Sequence, residues 1–285
     1  MWIPDFLRAE EGILDLITTL SVAIINSLLV VLLLHRSGLT RTMSGFPVFM
    51  FLLLLGAFPQ VHMLWKGQLL VLLVLLILLQ LQQVSQSVVV QEGVFLSGVL
   101  LGIATLLQSE MIFGVLVLWL FMFFERLFTL RSFFASILGW GVVVFLYGVV
   151  GYLGWIALGG FPTITLQWMG VYTDTFEMIV FGFLVIMMVL AGVVAFANVA
   201  REGLRVRAML IGIVITTKIG ILSLVLVMLF GQTAFQTMFL ALCAIVLTIY
   251  AYINQTSLHG GITLFVILSL LSIYVVNNFV LPINI

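Results

Sequence analysis

Long, uninterrupted apolar runs constrain this chain more than any other feature. The first covers residues 13–34 and contains one ionisable side chain, Asp15. At about 1.5 Å per residue, a helix of that length crosses a hydrocarbon core of about 30 Å. Only 7% of the 285 residues are charged and 64% are hydrophobic, whereas roughly a quarter of residues in soluble domains are charged. Lipid is therefore the expected solvent for most of the chain.

The fold class follows from the needs of the backbone in lipid. Every N–H and C=O group must be hydrogen-bonded within the protein, which leaves helices and closed barrels. The apolar runs lack the alternating pattern that barrel strands require. We therefore predict an all-α fold, a polytopic transmembrane helical bundle.

Apolar stretches of the required kind recur along the whole chain. The second to fifth are short and form two hairpins, so the predicted number of spans is eight to ten. Residues 1–285 then form a single integral membrane domain, with an outer-face segment at 1–12, five spans within 13–124 and five more within 133–276. The predicted spans are 13–34, 46–58, 69–81, 93–107, 111–124, 133–158, 178–199, 208–230, 238–253 and 262–276.

The basic residues orient these spans, because short cytoplasmic loops carry the excess of Lys and Arg. With ten spans, seven of the ten basic residues fall on one side, the expected cytoplasmic side, which places the N-terminus outside. The segment 82–91 has no basic residue, and a missed span would invert the arrangement. The seven are Arg36, Arg41, Arg126, Arg131, Arg201, Arg205 and Arg207.

Composition and motifs exclude several classes of function. Ten basic and ten acidic residues cancel, so the sequence predicts no nucleic-acid partner. His-Glu-x-x-His, P-loop and Gly-x-Ser-x-Gly motifs are absent from the sequence, as is a carboxylate pattern of metal-ligand spacing. One cysteine, Cys243, lies in an apolar run, where a thiol behaves as a small hydrophobe. We expect neither a metal nor a cofactor.

Lys218 is the ionisable residue deepest within a predicted span. It lies eleven residues from Arg207, the nearest flanking charge. A charged amine at that depth costs about 3 kcal/mol on insertion scales and commonly serves binding or transport. The alternative is a structural lysine that snorkels to an interface or pairs with a carboxylate. Either way, we expect Lys218 to face the bundle interior or a water-filled cavity, with Gly212 and Gly220 marking close helix contacts.

Other candidate binding residues lie at the predicted outer face. Glu110 is in a short turn between two spans, where it is either solvated or at headgroup level, or else projects into an outer cavity. His62 and Lys66 are four positions apart and would share a helical face that suits a phosphate. Their alternative role is to end a membrane helix.

The longest polar connection, residues 159–177, combines aromatic side chains with carboxylates. Trp168, Tyr172 and Asp174 suit stacking on a sugar and hydrogen bonding to its hydroxyl groups. The same residue types also form the aromatic belt at a membrane interface. The predicted topology places this loop at the outer face.

A family resemblance covers residues 26–155. His35-Arg36 ends the first span, Phe46-Pro47 begins the second, and a basic turn precedes a glycine-rich span. This order resembles an uncharacterised family of inner-membrane proteins from Bacteroidota and, more remotely, the membrane core of GT-C glycosyltransferases. Gly98 to Ala104 is similar to the Gly-x-x-x-Gly-Leu-Ala helix of the latter, with Ile103 in place of Leu. Small residues at this spacing also let helices approach closely, so we expect Gly98 and Gly102 at a helix contact.

The GT-C resemblance implies transfer of a sugar from a polyprenyl phosphate at the outer face. Such enzymes carry an acidic motif in their first outer loop, and Glu10 and Glu11 are the matching residues here, with Lys66 or Arg8 as the cation near the phosphate. No predicted span precedes this motif, which departs from the family pattern. The resemblance thus also admits a relative without catalytic activity.

Three functions stay open at the level of sequence. We favour a noncatalytic or uncharacterised component of cell-envelope biogenesis, because a charge-poor chain suits it. The second is a GT-C-like transferase using a polyprenyl-phosphate-linked sugar, and the third is a transporter or flippase of a lipid-linked substrate. Whether the chain is an enzyme is left open. The expected partners are membrane lipid and, depending on the function, a polyprenyl-phosphate-linked glycan or other envelope proteins.

Overall fold

The computed structural model describes residues 13–36, 46–57, 65–84, 90–124, 127–153, 175–198, 217, 220–221 and 233–253. Within these ranges the chain forms helices and short turns and no strand, which confirms the predicted all-α class. The α-helices are α1 (Ile13–Arg36), α2 (Phe46–Ala57), α3 (Trp65–Val84), α4 (Val90–Leu107), α5 (Gly114–Phe124), α6 (Leu130–Tyr152), α7 (Thr175–Asn198) and α8 (Thr233–Ile253). A 3-10 helix, Ser109–Phe113, lies between α4 and α5.

Among the described residues, three helices are long and apolar enough to cross a membrane. They are the stretch Ile17–His35 of α1, the whole of α4 and the whole of α6. Shorter apolar stretches occur in α3, α7 and α8, at Trp65–Leu81, Phe181–Val193 and Thr237–Thr248. The described part of the chain therefore contains helices suited to a bilayer.

Several helix boundaries differ from the sequence prediction. We expected 69–81 to be a helix too short to cross, yet α3 has 20 residues and includes the polar residues Gln68 and Gln82. The prediction that 82–91 is a loop is wrong at both ends, since α3 continues to Val84 and α4 begins at Val90. Polar side chains at a helix end do not interrupt backbone hydrogen bonding. A prediction from hydropathy alone therefore makes these helices too short.

The structure divides into two compact units, of which the first comprises Met1–Asn26 and Trp65–Gln167. In this unit α4 packs against α6 and α3, and the 3-10 helix packs against α4. Val84, Val94 and Met122 form a buried cluster that joins α3, α4 and α5. Helix α4 is thus the central helix of the first unit.

The second unit comprises Ser27–Leu64 and Trp168–Ile285. Here α8 packs against α2 and α7. Every side chain from Thr237 to Thr248 is buried, and the ring centroids of Phe181 and Phe239 are 4.7 Å apart. A helix that is apolar on all sides belongs in the interior, so α8 is the core helix of this unit.

The start of α6 is fixed by hydrogen bonds between residues that are close together in the sequence. Thr129 is the N-cap, and its side chain accepts a hydrogen bond from the Ser132 backbone N–H at 3.1 Å. In return the Thr129 backbone N–H donates to Ser132 Oγ at 2.8 Å. This capping box satisfies two donors that the first turn would otherwise leave free. It therefore sets the position of α6 along the chain.

Candidate functional site

Two of the predicted site residues, Glu110 and Lys66, lie in the described part of the chain. The others fall outside the described residues: Glu10, Glu11, His62, Trp168, Tyr172, Asp174 and Lys218. Within the described residues, Glu110 and Lys66 share no hydrogen bond or ion pair. These two residues therefore have separate local environments.

Glu110 is the second residue of the 3-10 helix and is 2% exposed. Its Oε2 atom accepts hydrogen bonds from Gln108 Nε2 at 2.7 Å and from Ser109 Oγ at 3.0 Å. This carboxylate is therefore not freely solvated, whereas its position at headgroup level and its projection into an outer cavity stay predictions. Because the two donors immediately precede Glu110 in sequence, the turn itself fixes the carboxylate.

The second carboxylate oxygen, Oε1, accepts no hydrogen bond from the described residues. An ionised carboxylate has about four acceptor positions on its two oxygens, and the two neutral donors both bind Oε2. The negative charge of Glu110 is not matched by a cation within the described residues. This turn can accept a positively charged hydrogen-bond donor at Oε1.

Lys66 is the second residue of α3 and is partly buried. Its Nζ atom lies 6.0 Å from the ring centroid of Trp65, which is at the outer limit of a cation–π interaction. An aromatic ring beside a lysine is typical of a membrane interface. The position of Lys66 in the first turn of α3 fits the alternative in which it ends a membrane helix, and binding of a phosphate stays a prediction.

A buried polar pair that the sequence analysis did not single out lies between α1 and α3. Asn26 Nδ2 donates to the carbonyl oxygen of Gln68 at 2.9 Å and to Gln68 Oε1 at 3.1 Å. Asn26 is fully buried and Gln68 is 2% exposed. Asn26 Oδ1 has no partner among the described residues. The sequence signal that could have indicated this pair is the side-chain amide of Asn26 within a long apolar run, because such a group needs a hydrogen-bond partner inside the protein.

Close contact between α4 and α6 confirms the prediction for Gly98 and Gly102. A methyl group added to Gly98 would collide with the carbonyl oxygen of Ser136, and one added to Gly102 would lie 2.8 Å from Val143 Cβ. Gly139, which we did not predict at this contact, meets the carbonyl oxygen of Phe95 in the same way. Glycines from both helices thus bring the two backbones together.

Indole hydrogen bonds also join α6 to neighbouring helices. Trp140 Nε1 of α6 donates to Thr105 Oγ1 of α4 at 3.2 Å. Trp119 Nε1 of α5 donates to Ser136 Oγ of α6 at 3.0 Å. Both tryptophans therefore act within the first unit as links between helices.

In the second unit, residues near Lys218 pack against α7. A methyl group added to Gly220 would lie 2.6 Å from Met188 Sδ, which confirms the close contact expected at Gly220. Thr217 contacts Gly192 in the same manner, and Thr217 Oγ1 has no partner among the described residues. The predicted orientation of Lys218 and the expected contact at Gly212 lie outside the described residues.

These features are those of an apolar helical protein. The described residues form apolar helices joined by glycine contacts and side-chain hydrogen bonds, and they contain no group of three or more His, Cys, Asp or Glu residues that could hold a metal ion. No protein-family model, curated protein or solved structure matches the chain. Its function has to be inferred from its own residues.

Proposed function

We propose that this chain is a multi-pass protein of a bacterial inner membrane and a noncatalytic component of cell-envelope biogenesis. It would belong with the inner-membrane proteins of Bacteroidota that its sequence resembles. Its helices would bind lipid and another envelope protein, and its polar residues would mainly hold the helices together.

The distribution of side chains on α6 is the observation that carries the membrane location. Leu138 is 61% exposed and Phe145 is 69% exposed, whereas Ser136 is 2% exposed and Gly139 is buried. Small and polar residues therefore face neighbouring helices while large apolar residues face outward. This arrangement is unfavourable in water and stable in lipid, where small residues allow close helix packing.

The engagement of the polar side chains supports a noncatalytic role. Trp119 and Trp140 donate to neighbouring helices, and Asn26 donates to Gln68. These groups are used for packing, whereas a catalytic base must be within reach of a substrate proton. A binding or scaffolding protein requires no more than the contacts described.

Membrane location can be tested by alkaline carbonate extraction of membranes from cells that express the full chain. We expect the protein to stay in the pellet and to be released by detergent. A protein with one weakly held helix at the surface would be released by carbonate. That result would contradict the proposed integral membrane location.

The absence of catalysis can be tested in a deletion strain of the source bacterium. Deletion should increase sensitivity to detergents, and the double variant Glu10→Gln/Glu11→Gln should restore resistance fully. Glu92→Gln, at an exposed position, is the matched control for loss of a carboxylate. If the double variant accumulates normally but does not restore resistance, the GT-C-like transferase is favoured instead.

A further inference from the structure

We infer that Glu110 and the outward face of α5 form a binding site for one lipid with an ammonium headgroup. The inference rests on the proposed membrane location and adds a ligand to it. The headgroup would bind at Glu110, and an acyl chain would lie along the 3-10 helix and α5. The site thus has a charged end at Glu110 and an apolar end along α5.

At the charged end, Glu110 presents one oxygen that is already occupied and one that is not. Oε2 accepts from Gln108 and Ser109, and Oε1 accepts from none of the described residues. A carboxylate that is 2% exposed is costly unless a cation and hydrogen-bond donors compensate it. An ammonium group supplies both requirements at Oε1.

At the apolar end, a line of outward side chains begins directly beside Glu110. In a 3-10 helix, side chains three residues apart project in the same direction. Phe113 therefore lies on the same side of the 3-10 helix as Glu110, one turn further along the chain. Leu116, Leu120 and Phe123 continue the line along α5 at helical spacing, with exposures of 51%, 53% and 67%. On the opposite side, Met111, Leu118 and Met122 are buried.

The length of this line fits a lipid chain. From Glu110 to Phe123 the rise is roughly 21 Å, at about 2.0 Å per residue in the 3-10 helix and about 1.5 Å in α5. One leaflet of the hydrocarbon core is about 15 Å thick. A lipid whose headgroup contacts Glu110 can therefore lay a whole acyl chain against this surface.

The chemistry selects among lipid headgroups. An ionised carboxylate is negatively charged, so it repels a phosphoglycerol headgroup, whose net charge is also negative. A trimethylated choline carries positive charge but no N–H donor. A primary ammonium carries the charge and three donors, and charge-assisted hydrogen bonds are the stronger kind. Phosphatidylethanolamine is therefore the expected ligand class.

The test measures lipid binding to the full chain in detergent by native mass spectrometry. We expect phosphatidylethanolamine to bind the wild type more tightly than phosphatidylcholine or phosphatidylglycerol with the same chains. Glu110→Gln should weaken phosphatidylethanolamine binding roughly tenfold, the size expected for loss of a charged hydrogen bond. Glu92→Gln should leave it unchanged. The comparison of lipids on the wild type needs no variant, so it holds even if Glu110→Gln folds poorly.

Other occupants give different results. Equal binding of all three lipids would overturn the inference. Binding of Mg²⁺ or of soluble ethanolamine at Glu110, without any preference among lipids, would also overturn the inference. It would show that Glu110 is a simple cation site. If the chain remains in membranes after carbonate treatment in either case, the proposed membrane location stands while the lipid site fails.

Discussion

At the scale of single residues, two threonines of the first unit have opposite environments, one partly buried and one buried. Thr105 Oγ1 accepts from Trp140 Nε1 at 3.2 Å and donates to the carbonyl oxygen of Leu101 at 2.8 Å. Thr19 Oγ1 is buried and has no partner among the described residues. A buried hydroxyl without a partner retains the cost of desolvation, whereas a bonded one compensates it.

Replacing each threonine with valine, which has nearly the same shape, should therefore give opposite results. Thr105→Val should lower the free energy of unfolding in detergent by about 0.6 kcal/mol, a typical value for a hydrogen bond between membrane helices. Thr19→Val should leave it unchanged or raise it. Chemical unfolding followed by tryptophan fluorescence measures both changes. A loss at Thr19 equal to that at Thr105 would mean that Thr19 has a partner.

The sequence predicted some polar residues and missed others for a physical reason. Lys218 and Glu110 were found because charge is conspicuous in an apolar run. Asn26 and Gln68 were not singled out as a pair, since they are 42 positions apart and only the packing of α1 against α3 joins them. Burial of Glu110 likewise depends on how α4 and the 3-10 helix pack, which hydropathy does not describe.

At the scale of elements, the contact between α4 and α6 depends on backbones that approach without intervening side chains. Gly139→Leu should therefore destabilise the protein by about 1–3 kcal/mol or more, because the added side chain would meet the backbone of Phe95. Gly141 is the matched control on the same helix, since a methyl group added there meets nothing within 4 Å. Gly141→Leu should be close to neutral. Thermal unfolding in detergent compares the two variants.

Equal melting temperatures for Gly139→Leu and Gly141→Leu would contradict the described contact. The sequence could predict one side of it, because Gly98 and Gly102 are spaced by four residues within one helix. It could not assign Gly139 to the other side. Gly141 and Gly148 lie nearby on α6 and meet nothing within 4 Å, and only the register between the two helices distinguishes them from Gly139.

At the scale of the whole molecule, the distribution of basic residues makes a prediction about topology. Cysteines placed in the segments 36–41, 126–131 and 201–207 should all resist a membrane-impermeant thiol reagent in intact cells, because these segments are expected in the cytoplasm. Replacing Cys243 with alanine removes the native thiol beforehand. All three positions should react once the membrane is permeabilised. Labelling of one segment alone in intact cells would show that the number of spans between the segments is odd.

The positions of the described helices could be predicted from hydropathy because each depends on a local run of apolar residues. The 24 residues of α1 match the first predicted span within two residues. The grouping of helices could not be predicted, since α2 packs against α8, which lies far from it in the sequence. Lipid-facing and protein-facing apolar residues have the same composition, so one sequence does not distinguish them.

The burial of α8 on all sides has a consequence for biosynthesis. Its partner α2 begins at Phe46 and α8 begins at Thr233, so nearly 190 residues must be translated between them. At about 5–20 residues per second, that delay lasts on the order of ten to forty seconds. During this interval α2 has emerged while the helix that covers it does not yet exist. Nascent chains that stall before α8 is complete should accordingly be prime substrates for membrane proteases or insertion chaperones.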